Sequence, residues 1–174
     1  MNEIPTYPWY QIGQMDDLQQ GDLILECPII NISGNSFDNL SDGEIIDIEP
    51  SIDRVNLIIM TQSCDLALDS KTEQVTLCAF LPASAYSKSD LGNIKSKRQA
   101  ALCLIESSDT AYINLPSFER QVVDFRAVYT LPKNYLSTFV GNKTRARLLP
   151  PYREYVAQAF AKFFMRIGLP KDLL

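Results

Sequence analysis

Thr61, Gln62, Ser63, Cys64 and Asp65 place two hydroxyls, an amide, a thiol and a carboxylate in five consecutive residues. They follow directly on Val55-Asn56-Leu57-Ile58-Ile59-Met60, an apolar run of the kind that predicts a buried strand. Groups delivered together at a strand end can bind a phosphate, a sugar or a base edge. The same residues can also form a capped turn that does no more than hold the sheet, and both readings stand. Cys64 is a poor nucleophile by this reading: a carboxylate follows it, and no histidine is present to take its proton.

Histidine is absent from all 174 residues. That removes Ser-His-Asp and Cys-His catalysis, histidine acid–base chemistry and histidine metal sites. Any catalysis must use carboxylates, Lys, Arg, Tyr or thiols. The four cysteines, at 27, 64, 78 and 103, form no C-x-x-C pair, so no zinc site is expected. No Walker A, GxGxxG, HExxH or EF-hand pattern occurs, and neither a cofactor nor a metal is expected. Cys78 and Cys103 lie in apolar runs and read as buried, reduced thiols. Cys27 and Cys64 both fall near strand ends; as neighbours they would make a redox pair.

A second concentration of chemistry is basic. Arg126, Lys143, Arg145, Arg147 and Arg153 lie near Tyr135, Tyr152 and Tyr155, a mixture that can track a phosphate backbone and stack on bases. Residues 1–87 carry 14 acidic and 2 basic side chains; residues 88–174 carry 7 and 14. The basic cluster therefore pairs with the acidic half, in cis or across a homodimer, or it meets a partner. The sequence pI near 4.7 argues against tight nonspecific binding to long nucleic acid.

The elements that must position these groups follow from composition and period. A length of 174 residues, 46% hydrophobic and 21% charged, predicts one domain with a real core. No apolar run is long enough for a membrane helix and no secretory signal opens the chain, so a cytoplasmic protein without membrane contact is expected. Residues 1–15, with Pro5, Pro8, Trp9 and Tyr10, predict an extended arm that lays Trp9 on the domain or a partner. Strands are predicted over 23–27, resuming at Ile29 and Ile30 beyond Pro28, and over 44–49, 55–61, 74–81 and 111–115. Val123, Phe125, Ala127, Tyr129 and Leu131 give the clearest alternation and predict a half-buried strand. A short helical turn is expected after Cys64, a helix within 88–103 and another over 134–140. Pro150-Pro151 opens the last helix, with Tyr152, Val156, Ala159, Phe160, Phe163 and Ile167 on one face. Tyr155 and Phe164 widen that face, and Gly168 and Pro170 end it. The expected class is α+β: a small, twisted antiparallel β-barrel over 16–131 with an inserted helix, and a helical part over 132–174 that packs a C-terminal amphipathic helix on it.

The front half resembles the SH3-like barrel toxins of the MazF/PemK family over about residues 20–70. It shares a Gln20-Gly21-Asp22-Leu23-Ile24 opening and an Arg-led hydrophobic strand, Arg54-Val55-Asn56-Leu57-Ile58-Ile59-Met60-Thr61. The resemblance implies an SH3-like barrel and a metal-independent, usually dimeric endoribonuclease. Its arginine role would fall on Arg54, and its hydroxyl role on Thr61 or Ser63. Val55 stands where the family carries Pro, and the chain is longer by its helical tail. The chain also resembles uncharacterised bacterial proteins with a Gln-Ser-Cys-Asp-Leu strand end (62–66) and a Leu-Pro-Pro-Tyr-Arg-Glu helix start (149–154).

Three functions are weighed. The favoured one is a non-enzymatic binding module for a protein partner or a short RNA or DNA, within a bacterial toxin–antitoxin or phage-defence system. In that case Thr61–Asp65 binds the ligand, and the basic cluster meets nucleic acid or a partner. The alternative is a ribonuclease in which Arg54 stabilises the phosphorane charge and Asp65 takes the 2′-hydroxyl proton beside Thr61. The third is a Cys64 thiol enzyme or redox switch.

Overall fold

A computed structural model of the chain describes residues 9–31, 50–67, 72–106 and 120–165. Seven strands form one antiparallel sheet: β1 (Tyr10–Gln14), β2 (Asp22–Asn31), β3 (Ser51–Ile59), β4 (Gln74–Pro82), β5 (Leu102–Ile105), β6 (Gln121–Pro132) and β7 (Thr144–Leu148). Their order is β1-β7-β2-β3-β4-β6-β5. The helices are α1 (Ser63–Leu66), α2 (Lys88–Lys95), α3 (Lys133–Val140) and α4 (Tyr152–Phe164). The class is α+β as expected, but the sheet is not closed: β1 and β5 stand at its two edges, and no pairing among the described residues joins them into a barrel.

The continuous apolar run of β3 is explained by cover on both faces. Ile58 and Met60 enter a core shared with Leu23, Phe80 and Phe125, over which α4 lays Val156. Leu57 and Ile59 point the other way, into a core closed by Leu136 and Val140 of α3. Successive side chains of a strand alternate between faces, so a strand buried on both sides needs apolar residues at every position. Burying each of these Leu or Ile side chains is worth about 1.5–3 kcal/mol. A third, smaller cluster holds Ile94 of α2 against Leu104 and Val122.

The alternation in β6 is present and changes cores midway. Phe125 packs in the α4 core, whereas Tyr129 and Leu131 pack against the α3 core. The switch is a register shift: Cys78 lies opposite Val128 and the next residue, Ala79, opposite Asp124. Extra residues on one strand of a pair bend it and re-aim its side chains.

The C-terminal helix is narrower than its sequence suggested. Phe160 and Phe163 meet Phe125 at ring-centroid distances of 5.6 and 6.1 Å. Tyr155 and Phe164 are 42% and 51% exposed, so they do not widen the buried face. The expected arm is a strand from Tyr10 onward, paired with β7, and Trp9 is buried in the α4 core. The strands expected over 44–49 and 111–115 and the helix end at Ile167, Gly168 and Pro170 lie outside the described residues.

One polar knot sits inside this frame. Asp22 is fully buried and faces two arginines on β7. Arg145 Nε donates to Asp22 Oδ2 at 3.0 Å, Arg147 Nη2 to the same oxygen at 3.1 Å, and Arg147 Nε to Oδ1. Arg145 Nη1 donates to the Met15 carbonyl at 2.8 Å and Arg147 Nη2 to the Asp17 carbonyl at 2.7 Å. Beside the knot, a hydrogen bond from Gln19 holds the Asp17 carboxyl below its usual range, with Arg147 adding to the effect against partial burial.

Gly21 sits immediately before the knot at φ 85°, and a Cβ there would stand 3.0 Å from Leu148 Cβ. Its N–H donates to Ile59 O and its carbonyl accepts from Leu148 N–H, both at 2.9 Å, so one residue ties the ends of β3 and β7. Replacing Asp22 with Ala leaves two buried guanidiniums without their carboxylate. The expected loss is about 3–5 kcal/mol in urea unfolding, against less than about 0.5 kcal/mol for the exposed Asp16→Ala.

Candidate functional site

The Thr61–Asp65 cluster divides into holding groups and exposed groups. Thr61 Oγ1 accepts the Thr76 N–H at 2.8 Å, and Ser63 Oγ accepts the Gln20 N–H at 3.1 Å. Gln20 Nε2 in turn donates to Met60 O at 2.8 Å. These bonds tie the end of β3 to β4 and to the loop before β2, which is the capped-turn arrangement. Gln62 stands at the N-cap of α1 without a side-chain capping bond. Gln62, Cys64 and Asp65 are exposed, and the Cys64 thiol lies 3.6 Å from Gln62 Oε1 and 3.7 Å from Asp65 Oδ1. No group of three or more Cys, Asp or Glu among the described residues could hold a metal ion.

Arg54 is not brought to this cluster. It lies on the outer half of β3, opposite Pro28, and its Nη1 donates to the Glu26 carbonyl at 3.4 Å. Thr61 follows it by seven residues, just past the end of β3 at Ile59. At about 3.3 Å per residue the two are roughly 20 Å apart. Arg54 and Thr61 thus stand at different ends of β3. Cys27 and Cys64 are also apart: Cys27 is buried opposite Val55, and Cys64 is exposed beyond the far end of β3.

The basic cluster is dispersed in role. Arg145 and Arg147 are buried in the Asp22 knot and present nothing to a phosphate. This is the pairing with the acidic half, in cis. Arg126 is exposed but clamped on Asp124 through two bonds of 2.9 and 2.7 Å. Arg153 is held by Glu154 and lies along Gly21. Lys143 stands over the Phe139 ring at 3.8 Å and has no carboxylate partner among the described residues.

A concave feature of the sheet lies elsewhere, where β2 and β7 part. They pair only at Asp22 with Arg147 and Leu23 with Ala146. Beyond that point β7 continues beside β1 and β2 continues beside β3. A cavity of about 440 Å³ occupies this wedge. Leu23, Phe80 and Ala146 line it from one core and Ile24 and Val140 from the other. No carboxylate among the described residues lines it, and its cations are Lys143 and the Asp22-paired Arg145.

A bulge shapes the lip of the wedge. Leu25 and Glu26 together oppose the single residue Asn56. Glu26 adopts φ 50°, left-handed for a residue other than glycine, and its N–H donates to Asn56 Oδ1 at 3.0 Å. Leu25 is consequently 48% exposed at the lip, and Ile12 of β1 is 41% exposed across from it. Sequence reading missed the wedge because it arises from the divergence of two strands more than a hundred residues apart. Its only local trace is an apolar Leu23-Ile24-Leu25 that overruns strict alternation.

No protein-family model matches the chain, and no curated protein matches it.

The thiols separate sharply. Burial pushes the Cys78 thiol up to about 12, with Asp124 adding to it, and burial pushes Cys103 up to about 11. Burial raises Cys27 as well. Iodoacetamide at neutral pH is expected to alkylate one thiol per native chain, at Cys64, and four after unfolding. Peptide mapping by mass spectrometry checks this; native labelling at Cys27, Cys78 or Cys103 would contradict the burial described.

Proposed function

We propose that this chain is a non-enzymatic binding module for a protein partner, and that the wedge between β2 and β7 is where the partner docks. The observation that carries the reading is the wedge itself. Its floor is apolar, its lip exposes Ile12 and Leu25, and its charge is positive through Lys143, since the other lining cation, Arg145, is paired with Asp22. Apolar clefts with a few placed polar groups are the usual form of binding sites. The left-handed Glu26 is strain held at the lip, and backbone strain of this kind concentrates at functional positions. The matching partner segment is apolar with an acidic side chain toward Lys143.

A short nucleic acid is less well served. Arg145 and Arg147 are buried and Arg126 and Arg153 are paired. Of the two phenylalanines in the wedge, Phe80 is buried and Phe139 already packs against Tyr135 and Lys143, so neither is an open stacking platform. The ribonuclease reading is the less favoured one, because Arg54 and Thr61 stand at different ends of β3.

The test places a photo-crosslinking benzoylphenylalanine at Leu25 in cells, with the exposed Ser89 of α2 as control. A discrete protein adduct at position 25, absent at 89 and lost when Ile12→Asp and Lys143→Glu are added, is the expected result. An adduct the size of a second copy, lost with the same changes, would assign the wedge to self-association instead. No adduct at position 25, or the same pattern at both positions, would overturn the proposal.

A further inference from the structure

A second pocket lies on the opposite part of the sheet, and it differs in chemistry from the wedge. It occupies about 370 Å³ between the end of α2, β5 and α4. Its floor is apolar, made by Ile94, Leu102, Ala159 and Phe163. Its polar groups are Lys97, Lys162, Gln158, Tyr155 and the buried Cys103 thiol, with no carboxylate among the described residues of the lining.

The position of Lys97 is unusual. It follows the C-cap of α2 at φ 58°. Its N–H donates to Ile94 O at 2.9 Å, and the Arg98 N–H donates to Asn93 O at 3.0 Å, which closes the helix end. The residue after a helix C-cap that adopts this left-handed conformation is most often glycine, because a Cβ is disfavoured there. A lysine at this place aims a cation across the pocket: its Nζ stands 5.9 Å from the centroid of the Tyr155 ring. The neighbouring cations Lys95 and Arg120 are both paired with Glu106, at 2.6 and 3.5 Å. Lys97 and Lys162 have no ion pair among the described residues.

We propose that this pocket binds a small amphipathic anion: a carboxylate or phosphate head held by Lys97 and Lys162, with an acyl or aryl body lying on Tyr155 and Phe163. Charge selects the head, since Lys97 and Lys162 line the pocket and no carboxylate among the described residues does. Size limits the body, since about 370 Å³ holds a compact ligand and no folded partner. The left-handed lysine separates this site from a merely solvated surface. Substituting glycine there should relieve the backbone, so stability and ligand binding are expected to move in opposite directions.

The experiment uses the full chain with anilinonaphthalene sulfonate as the probe, followed by fluorescence, with octanoate, octyl phosphate and octanol as competitors. Expected is saturable binding of one dye per chain, displaced by octanoate or octyl phosphate and not by octanol. Which of the two anions displaces better identifies the head group. Lys97→Gly is expected to weaken dye binding about tenfold while the melting temperature holds or rises by a few degrees. Lys162→Gln, which leaves the backbone unchanged, should weaken it similarly, and Lys88→Gln on the first turn of α2 should not. Undiminished binding in both lysine variants, or no saturable binding to the native chain, would overturn the proposal.

Discussion

A single buried carboxylate joins the two halves of this chain. Asp22 belongs to the acidic first half, and Arg145 and Arg147 to the basic second half. Asp22 and Arg147 face each other across the strand pair, and Arg145 lies two residues away on the same side of β7. Three charges removed from water are costly unless each finds partners. Here the carboxylate takes bonds from both guanidiniums and from the Gln19 N–H, and the guanidiniums also reach the carbonyls before β2. The knot therefore fixes the loop over 15–19, the start of β2 and the register of β7 together.

That constraint also explains the wedge. The knot ties β2 to β7 at one end only. Each strand then follows the partner with which its pairing runs further, β2 along β3 and β7 along β1. The bulge at Leu25 and Glu26 turns β2 further from the pairing direction, and α3 covers the second core beside the gap. A sheet held at a point and free beyond it exposes apolar side chains and strand edges together. These are features by which one polypeptide recognises another.

Much of the frame was legible in the sequence, and the reasons are local. β3 is apolar at every core position because both its faces are covered, and a continuous run is visible without a partner. β6 keeps its period of two although it passes from one core to the other. The face of α4 follows the helical period because Val156, Phe160 and Phe163 fall on it. β7 was not legible, because Thr144-Arg145-Ala146-Arg147-Leu148 reads as a basic surface segment until Asp22 is placed opposite. Its alternation was present, with the arginine face buried as fully as the apolar one. β5 was absorbed into the helix expected over 88–103, since four residues are too few to show a period. For the site, Thr61 and Ser63 proved to be anchors because hydroxyls at a strand end satisfy backbone groups as readily as they bind ligands.

The most direct measurement is native-state hydrogen exchange of the β7 amides. Leu148 donates to Gly21 and Leu149 to Trp9, so alternate residues of this strand face β2 and β1. Ala146 and Thr144 therefore face the β2 side, and Arg145 and Arg147 the β1 side. The account predicts slow exchange, close to the global unfolding limit, at Ala146, Leu148, Arg145 and Arg147, and exchange faster by orders of magnitude at Thr144, whose amide opens into the wedge. Protection of Thr144 equal to that of Ala146 would mean that β2 and β7 are joined along their length, and it would contradict the wedge on which the proposed function rests.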